Sequence, residues 1–315
     1  MKISVVISTY NGEEYIIEQL DSIKNQIRKP DEVLIFDDCS SDKTCEIIRS
    51  YILDNNLRGW SLIQNRTNKG WRRNFIEGIW NASGEIVLPC DQDDIWLENK
   101  ISIIEEIMQK NESIQLLVSN CIAFYDNGTE IIRPEKEDNK LIKVNIDIDF
   151  FETRYPGCTY AIRADLIALS KNYWEEGFPH DALFWRLATY SDSAYAINTS
   201  LIHWRRHLDS AYTLESILSK TYSKKRDWLD YAKRALLAMD NYLANYSVKD
   251  KEQKMRVIQG NMSWINNRIC FYDTPSIENG LKLLNGFKYY PRKRQLLGDW
   301  YLVLKNIIQE KQGRA

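Results

Sequence analysis

The fold class this sequence predicts is α/β: a mainly parallel, doubly wound sheet with helices on both faces, followed by a helical C-terminal subdomain. Three observations predict it. Near-continuous apolar runs alternate with amphipathic stretches over about the first 125 residues, a polar cluster follows each apolar run, and the pattern beyond Ser210 is mostly helical.

The elements follow in order. "ISVVIS" (3–8) is a strand rich in β-branched residues and leads to a helix carrying Ile16, Leu20 and Ile23 at helical spacing. "EVLIFD" (32–37) leads to a helix carrying Ile47, Ile48, Tyr51 and Ile52, and "WSLIQ" (60–64) and "EIVLP" (85–89) repeat the theme. From 126 to 150 the pattern weakens: "DNG" (126–128) is a hairpin signal and "RPEKEDNK" a charged surface stretch. "GCTYAI" (157–162) then reads as a strand, "PHDALFWRLA" (179–188) as a helix start and "SLIHWRRH" (200–207) as a strand end. Helical patterns follow around 215–246, 250–272 and 295–309. The expected division is therefore 1–210 for the α/β domain, with a break near 125, and 211–315 for the helical subdomain.

Composition narrows the function classes. The 315 residues are 44% hydrophobic and 27% charged, enough to build a full core. A formal net charge of −2 provides no global basic field, so no nucleic-acid partner is expected. Six cysteines stand singly without a C-x-x-C pair, which points to reduced thiols in the cytoplasm. The first apolar stretch is too brief for a signal peptide, and no run approaches the roughly 20 apolar residues of a membrane span.

In open parallel sheets ligands bind at the carboxyl ends of the strands. "STYNG" (8–12), "DDCSSD" (37–42), "NRTNKG" (65–70) and "CDQDD" (90–94) each follow one of the first four strands, so they should meet at one edge. In the last of these, Asp91, Asp93 and Asp94 crowd four positions, and like charges so close repel unless a cation sits among them. On an extended turn Asp91 and Asp93 point the same way and would converge on a hard ion such as Mg²⁺ or Mn²⁺. The plainer alternative is a solvated turn in which Asp94 caps the next helix. Asp37 and Asp38 end the second strand. Capping by Ser41 or Asp42 leaves Asp37 placed to accept from a base N–H or a ribose hydroxyl. Lys69, Gly70, Arg72 and Arg73 at a helix entrance suit phosphate, though surface cations are commonly just solvated. The absence of G-x-x-x-x-G-K-[ST] and of G-x-G-x-x-G excludes a P-loop and a nicotinamide dinucleotide fingerprint.

The ordered series "VVISTYNGEEYIIEQLDSI", "DEVLIFDDCSSDKT", "NKGWRRNF" and "ASGEIVLPCDQDDIW" resembles family 2 glycosyltransferases of the GT-A fold. "DQDDIW" is similar to those that build bacterial surface polysaccharides such as O-antigen and capsule. The resemblance spans about the first 120 residues. It implies inverting transfer of a hexosyl or deoxyhexosyl group from a UDP- or dTDP-linked sugar, with Mn²⁺ or Mg²⁺ held on the diphosphate by the DXD loop. The implied acceptor is a hydroxyl of a growing glycan on a polyprenyl diphosphate, at the inner face of the plasma membrane. Carried over by position, residues 1–125 bind the nucleotide sugar and 126–210 the acceptor. Thr9, Tyr10, Asp37 and Asp38 line the nucleoside pocket, Lys69 and Gly70 lie beside it, and Asp91 and Asp93 are the DXD pair.

The same resemblance reaches two later segments. "GFPHDALFWRLA" is similar to the segment that supplies the general base, which maps the base onto Asp181, with Ala182 where tryptophan is common. A helix N-terminus favours an ionised carboxylate, so Asp181 would accept the proton as the leaving group departs, or it simply caps its helix. "HWRRHLDSAYT" is similar to the R-x-H segment that closes over the donor. It brings His207 to the metal or diphosphate and Arg205 or Arg206 to phosphate charge, and it leaves His203 structural. Leu208 and Asp209 depart from the usual small and amide residues there.

Residues 281–315 carry eight Lys or Arg against Asp299 and Glu310, a net of +6, with Tyr289, Tyr290, Trp300 and Tyr301 among them. Such a tail fits either peripheral contact with an anionic membrane or a packed helical subdomain showing its lysines to solvent. Two other functions fit the acidic loop. One is a Mg²⁺-dependent phosphoryl-transfer enzyme, although "DQDDI" lacks the threonine of a D-x-D-x-T nucleophile motif. The other is a noncatalytic sugar-binding protein on a transferase fold.

Overall fold

The computed structural model describes residues 1–125, 130–132, 137–207 and 221–312. The hairpin signal at 126–128, part of the charged stretch at 133–136, positions 208 and 209 and the start of the helical pattern at 215 lie outside the described residues. The chain forms two compact units: Met1–Asn145 with Thr153–His207, and Ile146–Glu152 with Leu208–Ala315.

The first unit runs β1 (Ile3–Thr9), α1 (Ile16–Lys24), β2 (Glu32–Asp37), α2 (Thr44–Asp54), β3 (Trp60–Gln64), α3 (Trp71–Asn81) and β4 (Ile86–Cys90). It continues with β5 (Ile95–Trp96), α4 (Lys100–Lys110), β6 (Leu116–Phe124), β7 (Glu130–Ile132), β8 (Leu141–Lys143) and β9 (Tyr160–Arg163). It ends with α5 (Ala164–Ser170), α6 (His180–Tyr190) and β10 (Ala194–Arg205). The sheet order is β3-β2-β1-β4-β9-β6-β10-β5, with β7 on β6 and β8 on β10. The pairs β1/β2, β2/β3, β1/β4 and β6/β10 are parallel. Short β9 enters antiparallel between β4 and β6, so the six main strands all point one way.

Both faces of the parallel half are covered, which explains the unbroken apolar strands. Ile3, Val5 and Ile7 pack with Ile16, Leu20 and Ile23 of α1, Ile48 of α2 and Ile101, Ile104 and Met108 of α4. Spacings of three and four residues on each helix give it one apolar stripe, and burying that stripe is its main stabilisation. On the other face α3 lies close because Gly78 has no side chain: a Cβ there would stand 2.7 Å from Val6 Cγ1 and 3.0 Å from the Phe36 ring. Trp80 Nε1 donates to Ser170 Oγ at 3.0 Å and Phe75 stacks on His180 at 4.4 Å, which fixes α5 and α6 beside α3.

Two features of β5 and β10 aim the chain at the carboxyl edge. Two-residue β5 pairs antiparallel with β10 through Trp96↔Ile202 and Ile95↔His203. β10 shifts register twice against β6, between Ile197 and Ser200 and between Ser200 and His203. Such bulges re-aim a strand, and this one delivers Arg205–His207 to the loop preceding β5.

The second unit contains α7 (Tyr222–Asn245), α8 (Lys251–Asp273), α9 (Ile277–Lys282), a 3₁₀ turn over Leu283–Tyr289 and α10 (Arg294–Gln312). Its centre is a buried ion pair. Arg268 donates to both Asp299 oxygens at 2.8 and 2.9 Å, and the hydroxyls of Tyr272 and Tyr290 donate to the same carboxylate at 2.9 and 2.8 Å. Trp264 lies 4.8 Å from the guanidinium. The segment 146–152 belongs to this unit: Asn261 Nδ2 donates to Ile148 O at 2.9 Å, and the Phe151 ring meets Trp228 and Trp264 at 5.3 and 6.2 Å. Among the described residues no helix is long and apolar enough to cross a membrane.

Candidate active site

The four polar loops converge at the carboxyl ends of β1 to β4, and hydrogen bonds tie them together. Thr9 Oγ1 donates to Asp37 Oδ2 at 3.0 Å, and Asp38 N to Thr9 O at 2.8 Å. Asp37 is fully buried and also accepts from Ser40 N at 2.9 Å and Ser40 Oγ at 2.5 Å. Asp38, also buried, accepts from Lys69 N and Gly70 N at 2.8 Å and from Asn65 Nδ2 at 3.0 Å. Each carboxylate therefore organises a neighbouring loop. Gly70, at φ 83°, is the residue whose backbone Asp38 holds at the entrance of α3. The Lys69 side chain turns away to Glu77 Oε2 at 2.6 Å.

Tyr10 has a half-exposed ring and a fixed backbone. Its N–H donates to Gln92 Oε1 at 2.8 Å, and its carbonyl accepts from Gln92 Nε2 at 3.2 Å. The middle residue of Asp91-Gln92-Asp93 thus clasps the first loop to the acidic one. Gly12 makes room for this clasp, since a Cβ there would lie 2.4 Å from Gln92 Oε1. Asn11, at φ 47°, braces the second loop by accepting from Ser41 N at 2.9 Å.

The acidic loop bends at Gln92 and Asp93, so the alternation of an extended turn does not govern it. Asp93 Oδ2 lies 2.9 Å from His207 Nε2, and the Asp93 carbonyl accepts from Arg205 Nε at 2.8 Å. Asp94 does not cap a helix. It is buried before β5, and its Oδ1 accepts from Arg205 N at 3.0 Å while Oδ2 has no hydrogen-bond partner among the described residues. One ligand atom each of Asp91, Asp94 and Cys158 fall within 4.8 Å of one another. Burial, then the charges of Asp93 and Asp181, pushes Asp91 up to about 7. Burial and the neighbouring carboxylates also hold Asp94 well above the ordinary range. The Cys158 thiol is pushed up by burial and the same acids, so it stays protonated. Lys100 is fully buried, with Nζ on Cys158 O at 2.9 Å and 3.8 Å above the Trp96 ring. Its one positive charge faces this group from the inside.

Asp181 occupies the second position of α6, with Oδ1 accepting from Ala182 N at 2.7 Å, and the N-cap residue is Pro179. Gly157 lets this helix end approach: a Cβ there would lie 2.6 Å from His180 Nε2 and 3.2 Å from Asp181 Cβ. The charge of Asp181 reaches both Asp91 and the buried phenol of Tyr160. Arg205 is engaged by Asp93 O and by Glu18, with Tyr15 4.6 Å from its guanidinium. Arg206 lies over Trp204 at 4.4 Å, and His203 packs edge-on against Phe124 at 6.2 Å.

The structure thus brings Thr9, Tyr10, Asp37, Asp38 and the backbone of Lys69 and Gly70 to one edge, and Asp91, Asp93, Asp181 and His207 to its acidic end. Sequence reasoning missed Gln92, Cys158, Tyr160 and Lys100. Gln92 was visible as the residue between two aspartates, whereas the other three arrive through long-range packing that no local pattern marks.

The acidic group suits a hard divalent cation. It offers carboxylate oxygens and an imidazole, it leaves Asp94 Oδ2 unpaired among the described residues, and burial together with the charges of Asp93 and Asp181 raises Asp91. Among the described residues, Asp91, Asp94 and Cys158 are those whose ligand atoms lie close enough together for such an ion, and Asp93 of the same loop meets His207 at 2.9 Å.

Residues 4–168 match the family model described as glycosyl transferase family 2. The chain is 26% identical over 263 residues to the GalNAc(5)-diNAcBac-PP-undecaprenol beta-1,3-glucosyltransferase of Campylobacter jejuni, covering 80% of this chain and 78% of that protein. It is 32% identical over 172 residues to the dTDP-rhamnosyl transferase RfbG of Shigella flexneri, covering 53% of this chain and 57% of that protein. Among solved structures, it is similar to Staphylococcus aureus TarS 1-349 in complex with UDP-GlcNAc, with a TM-score of 0.63 and 20% identity over 91% of this chain and 80% of that one.

Proposed function

The chain belongs to glycosyl transferase family 2, and from that premise we propose an inverting, metal-dependent transfer of a sugar from a UDP- or dTDP-linked donor to a hydroxyl of a lipid-linked surface glycan. One observation carries the reading. Asp93 and His207 meet at 2.9 Å at the carboxyl edge of the sheet, while the charge of Asp181 reaches Asp91 in the same group. The names of two relatives, a dTDP-rhamnosyl transferase and a glucosyltransferase acting on an undecaprenol-linked glycan, support the donor and acceptor classes. The structural neighbour with UDP-GlcNAc agrees with the donor class.

When bound, a divalent cation supplies Lewis-acid neutralisation of the charge on a departing diphosphate. The chain's own residues do the rest. Asp38 holds the Lys69–Gly70 backbone, and Thr9 and Asp37 fix the first two loops, so the nucleoside pocket is preorganised before the donor arrives. The clasp of Gln92 on Tyr10 sets the acidic loop against that pocket. Asp181 accepts the acceptor's hydroxyl proton as that oxygen attacks the anomeric carbon and the bond to the diphosphate breaks. A single displacement of this kind inverts the anomeric configuration.

The test is donor-dependent release of nucleoside diphosphate. Asp93→Asn should lower kcat at least about 100-fold, and a chelator should lower it to a similar level in the parent chain. Asp181→Asn should lower transfer by about 100-fold or more with little change in thermal midpoint. Undiminished transfer by that variant would return Asp181 to a purely structural place in α6.

A further inference from the structure

The second unit carries an apolar stripe that its own core does not use. On α10, Leu297, Tyr301, Leu304 and Ile308 are 70%, 62%, 50% and 56% exposed. Their spacing places all four on one helical face. The opposite side is buried through Val303 and Asp299. The preceding segment repeats the arrangement: Ile277, Leu281, Leu284 and Phe287 are exposed large apolar residues. The two segments are neighbours, since a Cβ on Gly280 would lie 2.0 Å from the Trp300 ring.

Charge is distributed to match. Arg294 and Lys305 fall beside the α10 stripe by helical phase, and Glu310 falls on the face opposite Tyr301. Lys305 Nζ lies 5.8 Å from the Tyr301 ring, and Lys293 Nζ lies 4.8 Å from the Phe287 ring. Among the described residues no carboxylate is paired with Arg292, Arg294 or Lys305. Residues 281–315 together hold a net of +6. Cations that lie along an apolar strip without acidic partners are arranged to reach past it to anions, as in helices that lie in a bilayer interface.

We propose that this face docks on an anionic lipid surface, with Leu297, Tyr301, Leu304 and Ile308 entering the headgroup–acyl boundary and Arg294 and Lys305 binding lipid phosphates. A second copy of the chain fits less well. A two-fold pairing would set this cationic rim against itself, and like-charge juxtaposition is unfavourable. An anionic bilayer instead supplies the opposite charge and accepts the apolar strip. The inference does not depend on the donor-site reading, because no residue of the acidic loop takes part in it.

The experiment is co-sedimentation of the full chain with two kinds of vesicle, pure phosphatidylcholine and phosphatidylcholine with roughly one-third phosphatidylglycerol. Binding is expected to the anionic vesicles, to weaken as salt rises, and to fall at least about tenfold in the Arg294→Glu/Lys305→Glu pair. Leu297→Asp with Ile308→Asp should abolish it, and because these positions are exposed the thermal midpoint should stay close to that of the parent. Equal binding to neutral and anionic vesicles would overturn the proposal, as would no binding to either. Concentration-dependent dimerisation removed by the Leu297→Asp/Ile308→Asp pair, without vesicle binding, would assign the face to a second copy.

Discussion

Asp38 shows how much of this site is made by one side chain doing several local jobs. A buried carboxylate accepting two backbone N–H groups and one amide is stable only while all three donors stay in place. In Asp38→Asn the new amide nitrogen must face one of those donors, leaving a buried N–H unsatisfied. The expected loss is about 2 kcal/mol, read as a lower urea midpoint at unchanged slope. The donor KM should rise with it, because the entrance of α3 is no longer held. The cluster "DDCSSD" announced such a carboxylate. Its partners were hidden, because Lys69 and Gly70 contribute main-chain groups, which leave no mark in a sequence. The same holds for Cys158, which reads as an ordinary strand residue and meets Asp91 and Asp94 only once β9 is inserted beside β4.

At the scale of elements, the readable parts were those with repeated local periodicity. The first four strands, their helices and the three long helices of the second unit each carry enough apolar positions to declare a face. β5 has two residues and β9 four, too few to show a period, and their antiparallel entry is fixed by their neighbours in the sheet. The segment from Ile277 to Tyr289 was missed because a 3₁₀ turn breaks the helical phase. α7 gives a prediction of its own. Burial and the nearby charge of Arg268 lower Lys225 to about 8, against the pull of Asp299. Between about pH 8 and 10.5 the unfolded chain therefore holds more protons at this site than the folded one. The lysine's share of stability should rise with pH across that window and be lost as pH falls through 8. Urea midpoints measured from neutral to alkaline pH should show the rise, and Lys225→Met should flatten it.

On the scale of the whole molecule, the chain passes from one unit to the other and back before its final crossing. Residues 146–152 lie among the strands in sequence but fold with the helices, where Phe150 is buried and Phe151 meets Trp228 and Trp264. Nothing in "IDIDFFE" signals which unit will shelter its phenylalanines. A fragment ending at His207 should consequently aggregate, and the double change Phe150→Ser/Phe151→Ser should restore a monodisperse peak in size-exclusion chromatography. Anyone building a chimaera by exchanging the helical half of this enzyme for that of a relative will find that one splice is not enough. The seven residues 146–152, which the first unit's sequence carries but the helical unit shelters, have to be recut to suit the new host.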